Sequence, residues 1–101
     1  MALEGFAVEI TPRSGHQLVV LRGELDSQAA DGLAEQLVSE ATSAVVVELG
    51  ELTFISAAGI GALVQAKREL ELDAKPLIIL GAHGIVRRVF RILNLDDLLA
   101  D

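Results

Sequence analysis

Apolar and polar positions alternate along the first quarter of the chain. FAVEIT, residues 6–11, has the period of two that is typical of a half-buried strand. Pro12, Ser14 and Gly15 then mark a turn, and HQLVVLRGEL, residues 16–25, reads as a second strand. The pattern therefore predicts a hairpin of two antiparallel strands.

The pattern changes to helical spacing after residue 25. Residues 27–41 predict one amphipathic helix with Asp26 or Ser27 as its N-cap, which Gly32 weakens without breaking. A second helix follows Ser56 and ends near Asp73. A third lies within residues 81–94. It is predicted to bury five apolar side chains and to expose three basic ones; the buried set is Ile85, Val86, Val89, Phe90 and Leu93, and the exposed set is Arg87, Arg88 and Arg91.

Two nearly continuous apolar runs separate these helices. AVVVEL, residues 44–49, and PLIIL, residues 76–80, predict strands buried on both faces, with the loop GELT after the first. Residues 95–99 predict either a last short strand or half a turn of helix. The order β-β-α-β-α-β-α predicts an α/β fold with a mixed four- to five-stranded sheet and helices mainly on one face. A length of 101 residues indicates a single domain, residues 1–101.

Composition and charge exclude several classes of function. A net charge of -7 argues against a general nucleic-acid binder, because counterion displacement needs a basic surface. The apolar runs are far too short to insert into a membrane, and nothing resembles a secretory leader. The chain has no cysteine, which excludes disulfides and thiolate chemistry. We expect a cytoplasmic protein.

Catalytic and metal-binding patterns are missing from the sequence. His16 and His83 are far apart and have no neighbouring ligand type at metal-site spacing. Glu24 and Asp26 form a carboxylate pair, but no nucleophile or phosphate-binding loop accompanies them. We expect no enzyme, no cofactor and no metal. The three arginines of the third helix are either a solvated face or a second contact surface, for a partner or a nucleotide.

FISAAGIG, residues 54–61, is the most informative stretch. Ser56 stands where an N-cap belongs, and the first turn of a helix offers unpaired N–H groups that stabilise a phosphate or carboxylate. A serine in that turn would be a good on/off site, since phosphorylation adds nearly two negative charges. Here the turn begins with Ala57 and Ala58, which have no hydroxyl group.

Three motifs in order resemble the STAS domains, the fold of anti-sigma factor antagonists. They are LRGELDSQAADGL, VVVELGELTFISAAGIGAL and LIILGAHGIVRRVFRILNLDDLL, and together they cover nearly the whole chain. The resemblance implies a protein that binds a serine-kinase-type anti-sigma factor and displaces the sigma factor. In the family the kinase then phosphorylates one serine of the antagonist, and the two proteins separate.

That serine follows the Asp of an Asp-Ser-Ser-Gly motif, and the resemblance places Ala57 at its position. Ser56 falls on the preceding Asp, and Ala58 on the second hydroxyl residue. Alanine accepts no phosphate, so three explanations stay open. The antagonist is naturally unswitchable, Ser56 is a substitute acceptor, or the chain is an engineered variant of a protein with serine at this position.

The resemblance also implies a partner surface on two turns at one end of the sheet. Its predicted members are Glu24, Asp26, Ser27, Thr53, Ser56, Ala57, Ala58, Gly59, Ile60 and Gly61. A rival function is the accessory STAS subunit of a phospholipid ABC transporter, which needs no acceptor serine. Oligomeric state stays open, with a homodimer as one possibility.

Overall fold

The computed structural model describes residues 2, 3 and 5–101, and its centre is a five-stranded mixed sheet in the order β1-β2-β3-β4-β5. The strands β1 to β3 are antiparallel neighbours, whereas β3, β4 and β5 run parallel. This confirms the predicted α/β fold with a mixed sheet. The strands are β1 (Ala2–Leu3), β2 (Phe6–Arg13), β3 (His16–Leu25), β4 (Ala44–Ile55) and β5 (Leu77–Leu80).

Four helices connect and follow the parallel strands. They are α1 (Ser27–Ala30), α2 (Leu33–Glu40), α3 (Ala57–Leu72) and α4 (Gly84–Ile92), and a 3₁₀ turn covers Asp96–Leu98. Buried side chains from all four helices join one hydrophobic cluster with alternate residues of β2 to β5. The prediction that residues 44–49 and 76–80 form strands buried on both faces is wrong, because the other face of the sheet is only half-buried and Ile78 of β5 is 43% exposed. The core therefore lies between the sheet and the helices.

The predicted hairpin is confirmed, and salt bridges across the open face of the sheet support it. Residues 6–13 of β2 pair in register with 16–23 of β3. Arg22 on β3 contacts Glu9 on β2 at 2.7 Å and Glu51 on β4 at 3.0 Å. The hydrogen bonds that the Arg22 guanidinium donates, first to Glu9 and second to Glu51, raise the pKa of Arg22 above its ordinary value. The pairing ties three strands together at the surface.

The prediction of one unbroken helix over residues 27–41 is wrong. The chain forms α1, turns at Asp31 and Gly32, and begins again as α2. Gly32 has a φ of 79°, in the left-handed region that glycine enters without steric cost. An Asp-Gly pair is a turn signal, and here it prevails over the apolar spacing around it.

The fourth strand is longer than predicted, and GELT is not a loop. β4 continues through residues 50–53 to Ile55 by way of two register shifts against β3. Leu52 is buried and pairs with Gly23, while Ile55 is buried and pairs with Leu25. Strict alternation from Leu49 would have turned Leu52 away from the core, so the first shift buries Leu52 and the second restores the alternation that buries Ile55.

The C-terminal part differs from its prediction in four side chains: Arg87, predicted to be exposed, and Val89, predicted to be buried, are half-buried, and two apolar side chains are exposed. Val86 and Phe90 of α4 are buried as expected, but Ile85 is 50% exposed and Leu93 is 40% exposed. The segment after α4 is both of the predicted alternatives at once: a 3₁₀ turn, followed by a bridge from Leu99 to Ile79 of β5. It covers the outer edge of β5.

Candidate functional site

Two turns lie side by side at the carboxyl ends of β3 and β4. Leu25, the last residue of β3, pairs with Ile55, the last residue of β4. The backbone N–H of Ser56 donates to the carbonyl oxygen of Leu25 at 2.9 Å. Because the strands are parallel, the turns that follow them, at Asp26 and Ser56, meet at the same edge of the sheet.

Each turn ends in a helix N-cap. The Asp26 Oδ1 atom accepts the N–H of Ala29 at 2.8 Å, and the Ser56 Oγ atom accepts the N–H of Gly59 at 3.0 Å. Such caps hold one otherwise unpaired amide each and contribute about 1 kcal/mol. The predicted capping roles of both residues are therefore present in the structure.

The two glycines at the start of α3 have different surroundings. Gly59 is buried, and a Cβ atom there would lie 2.8 Å from both Cγ and O of Leu25 and 3.0 Å from Cγ1 of Ile55. A Cβ atom at Gly61 would meet nothing within 4 Å. Gly59 thus lets the helix start pack on both strand ends, whereas Gly61 leaves open surface.

The predicted surface residues divide into exposed and buried groups. Ile60 is buried with 1% exposure, so it supports the turn from below, as Gly59 does. The side chain of Thr53 is exposed, and its Oγ1 donates to the carbonyl oxygen of Gly23 at 3.2 Å. The exposed members are Glu24, Asp26, Ser27, Thr53, Ala57, Ala58 and Gly61, and Ser56 is half-buried.

A groove of about 740 Å³ continues from these turns between the α1–α2 corner and the first turns of α3. Ser27, Ala58 and Gly61 contribute to it from the predicted surface. Asp31 and Glu35 line its other side and were missed from the sequence. The signal that reveals them is the Asp31-Gly32 turn, because it swings α2 away from the axis of α1 and opens the groove.

The two histidines, considered as candidate metal ligands from the sequence, do not form a metal site beside this surface. A ring nitrogen of His83 lies 2.9 Å from the carbonyl oxygen of Gly50, which ties the start of α4 to β4. No group of three His, Asp or Glu side chains with metal-site geometry occurs among the described residues. Within the same residues, no helix has the length and apolar character needed to cross a membrane.

Comparison with known proteins identifies the family of this fold, in which the turns at Asp26 and Ser56 lie side by side. The family model of the STAS domain matches residues 7–100. The chain therefore belongs to the STAS family. The anti-sigma-B factor antagonist of Staphylococcus aureus is 30% identical over 95 residues, which cover 91% of this chain and 88% of the relative.

Solved structures agree with this assignment. The unphosphorylated anti-sigma factor antagonist SpoIIAA superposes with a TM-score of 0.75 at 27% identity, covering 95% of this chain and 86% of that one. The phosphorylated form of the same protein from Bacillus gives a TM-score of 0.69 at 26% identity, covering 95% and 89%. The predicted family and STAS fold are confirmed.

Proposed function

We propose that this protein is an anti-sigma factor antagonist that binds a serine-kinase-type anti-sigma factor and releases the sigma factor. The docking surface consists of the Asp26 turn, the exposed start of α3 and the groove between them. The proposal rests above all on one observation: the 2.9 Å hydrogen bond from Ser56 N to Leu25 O joins the two turns into a single surface. The names of the relatives support the choice of partner.

The surface suits close contact with another protein. Ala57, Ala58 and Gly61 are exposed and present only methyl groups or bare backbone, so a partner can approach within van der Waals distance of the helix. A phosphate in this turn would carry nearly two charges into that contact. Its desolvation would oppose binding, and this is the physical basis for switching.

Ala57 supplies no oxygen for phosphate, so we propose that the complex is not dissociated by phosphorylation at this position. Ser56 is the cap of α3, not a substitute acceptor, in this proposal. Its Oγ is half-buried and already holds the Gly59 amide at 3.0 Å. Attack on a nucleotide would require the hydroxyl to leave that position, at the cost of the cap.

The test uses the purified chain and the kinase-fold anti-sigma factors of its host. The natural chain should bind one of them with ATP or ADP present and should acquire no phosphate by intact-mass measurement. Ala57→Ser should be phosphorylated and should lose affinity at least tenfold when ATP is supplied. Ala58→Ser is the matched control, since it adds the same hydroxyl one residue further along the exposed turn.

Each outcome decides a separate claim. Phosphate on Ala58→Ser and none on Ala57→Ser would show that residue 58, not residue 57, corresponds to the acceptor serine of the family motif. Phosphate on the natural chain that disappears in Ser56→Asn, a variant that keeps a good cap without a hydroxyl, would make Ser56 the acceptor. Failure to bind any kinase-fold protein, with capture of a phospholipid-transporter ATPase instead, would replace the proposal with the accessory-subunit function.

A further inference from the structure

The charges of this acidic chain are unevenly distributed. Residues 74–95 contain no Asp or Glu but include four basic residues, Lys75, Arg87, Arg88 and Arg91. The rest of the chain carries the other four basic residues and all fifteen acidic ones. The segment that holds α4 is therefore a local positive region on a protein with net charge -7.

The exposed side of α4 combines this charge with apolar surface. Val86 and Phe90 face the core, which leaves Arg88 and Arg91 exposed one turn apart on the opposite side. Beside them, seven residues apart and hence on one stripe of the helix, lie Ile85 at 50% exposure and Ile92 at 72%. A shallow groove of about 490 Å³ runs along the arginine side from Gly84 to Arg91.

The three arginines are not equivalent. Arg87 is committed to the fold, since its guanidinium donates to the carbonyl oxygens of Ala82 at 3.3 Å and Asp101 at 2.8 Å. Arg88 and Arg91 form no salt bridge with any described carboxylate, although Arg22, Lys67 and Lys75 all do. Two guanidinium groups beside exposed isoleucines are thus available for contact.

We propose that the exposed side of α4 is a second docking surface, for an acidic and aliphatic segment of a partner protein. Two carboxylates about one helical turn apart would pair with Arg88 and Arg91, while aliphatic side chains cover Ile85 and Ile92. Charge complementarity selects this occupant. Duplex nucleic acid fits less well, because two arginines neutralise few phosphates and the acidic remainder of the chain would repel the duplex. An anionic membrane would meet the same repulsion.

Among the residues that the structure describes, none lines both grooves, so the side of α4 is distinct from the groove beside the start of α3. A partner held on α4 would therefore leave the start of α3 open.

The test needs no knowledge of the natural partner. The probe is a synthetic helical peptide with Glu at positions i and i+3 and Leu on the same side, titrated into the full ¹⁵N-labelled chain at about 50 mM salt. Amide shifts should be confined to Gly84–Ile92 and their neighbours. The double variant Arg88→Glu with Arg91→Glu should bind at least tenfold more weakly, and a peptide with Gln in place of Glu should give no shifts.

The matched control is Arg13→Glu with Arg68→Glu, which changes the net charge equally at two exposed sites away from α4. It should bind the peptide as the natural chain does. Equal weakening by both double variants would reduce the effect to net charge and overturn the proposal. Shifts at the start of α3, or binding of anionic vesicles or DNA to α4 without binding of the peptide, would overturn it as well.

Discussion

Gly59 and Gly61 allow a direct test of why glycine occurs at the start of α3. Both lie within the first turns of the helix, where Gly→Ala gains about 1 kcal/mol of helix propensity. At Gly61 the new methyl group meets nothing within 4 Å, so we expect the full gain. At Gly59 it would lie 2.8 Å from the carbonyl oxygen of Leu25.

The cost at Gly59 follows from which atoms must move. Leu25 O is a backbone atom that also accepts the Ser56 N–H at 2.9 Å, so it cannot shift without disturbing the junction between β3 and α3. Overpacking of this kind costs about 1–3 kcal/mol, and a fixed backbone contact places Gly59 at the upper end. After the propensity gain is subtracted, Gly59→Ala should destabilise the protein by about 2 kcal/mol.

The assay is urea unfolding of both variants followed by far-ultraviolet circular dichroism. The two free energies of unfolding should differ by about 3 kcal/mol, with Gly61→Ala above the natural chain and Gly59→Ala below it. Thermal midpoints should move in the same directions, by about 4–8 °C for each kcal/mol. Equal stabilisation by both substitutions would show that close packing on Leu25 is not the reason for Gly59. In the proposed complex, Gly61→Ala should weaken partner binding although it stabilises the fold.

Two further predictions concern the cap and the core. Asp26→Ala should lower the free energy of unfolding by about 1 kcal/mol, because the amide of Ala29 loses its acceptor, whereas Asp26→Asn, which also caps well, should cost less than half as much in urea titrations. Phe90→Ala should lower the free energy of unfolding by about 3–5 kcal/mol, since Phe90 is 0% exposed. Ile92→Ala on the same helix should change it by no more than about 0.5 kcal/mol, because Ile92 is 72% exposed. A similar loss for both variants would contradict the burial of Phe90 against the core.

The elements with strong local patterns were predicted correctly. These elements depend mainly on neighbours in sequence. They are the strands predicted from alternation at residues 6–11 and 16–25, the strands predicted from apolar runs at 44–49 and 76–80, and the serine-capped start of α3. The absence of a hydroxyl group from Ala57 is likewise a property of the sequence alone, since the chemistry of a side chain needs no coordinates. Where local signals compete, as at Asp31-Gly32, the helical spacing led to the wrong prediction of one unbroken helix, because the turn signal prevails in the folded chain.

Contacts between segments that are distant in sequence could not be predicted from local patterns. The extension of β4 through residues 50–53 depends on pairing with β3, and only that pairing shows Leu52 and Ile55 to be core residues. Likewise, the exposure of Ile85 follows from where α4 packs, not from its spacing.

From residue 6 onward, the sequence was enough to predict the order of strands and helices, except for the division of the first helix into α1 and α2. It was also enough to predict the family and to show that residue 57 has no hydroxyl group. The tertiary structure alone decided that Gly59 serves packing whereas Gly61 leaves open surface, and that Arg88 and Arg91 stay unpaired by described carboxylates while Arg22 does not. The reason is that backbone conformation responds to near neighbours, whereas the space and charge around a side chain are set by segments that the fold brings together from far along the chain.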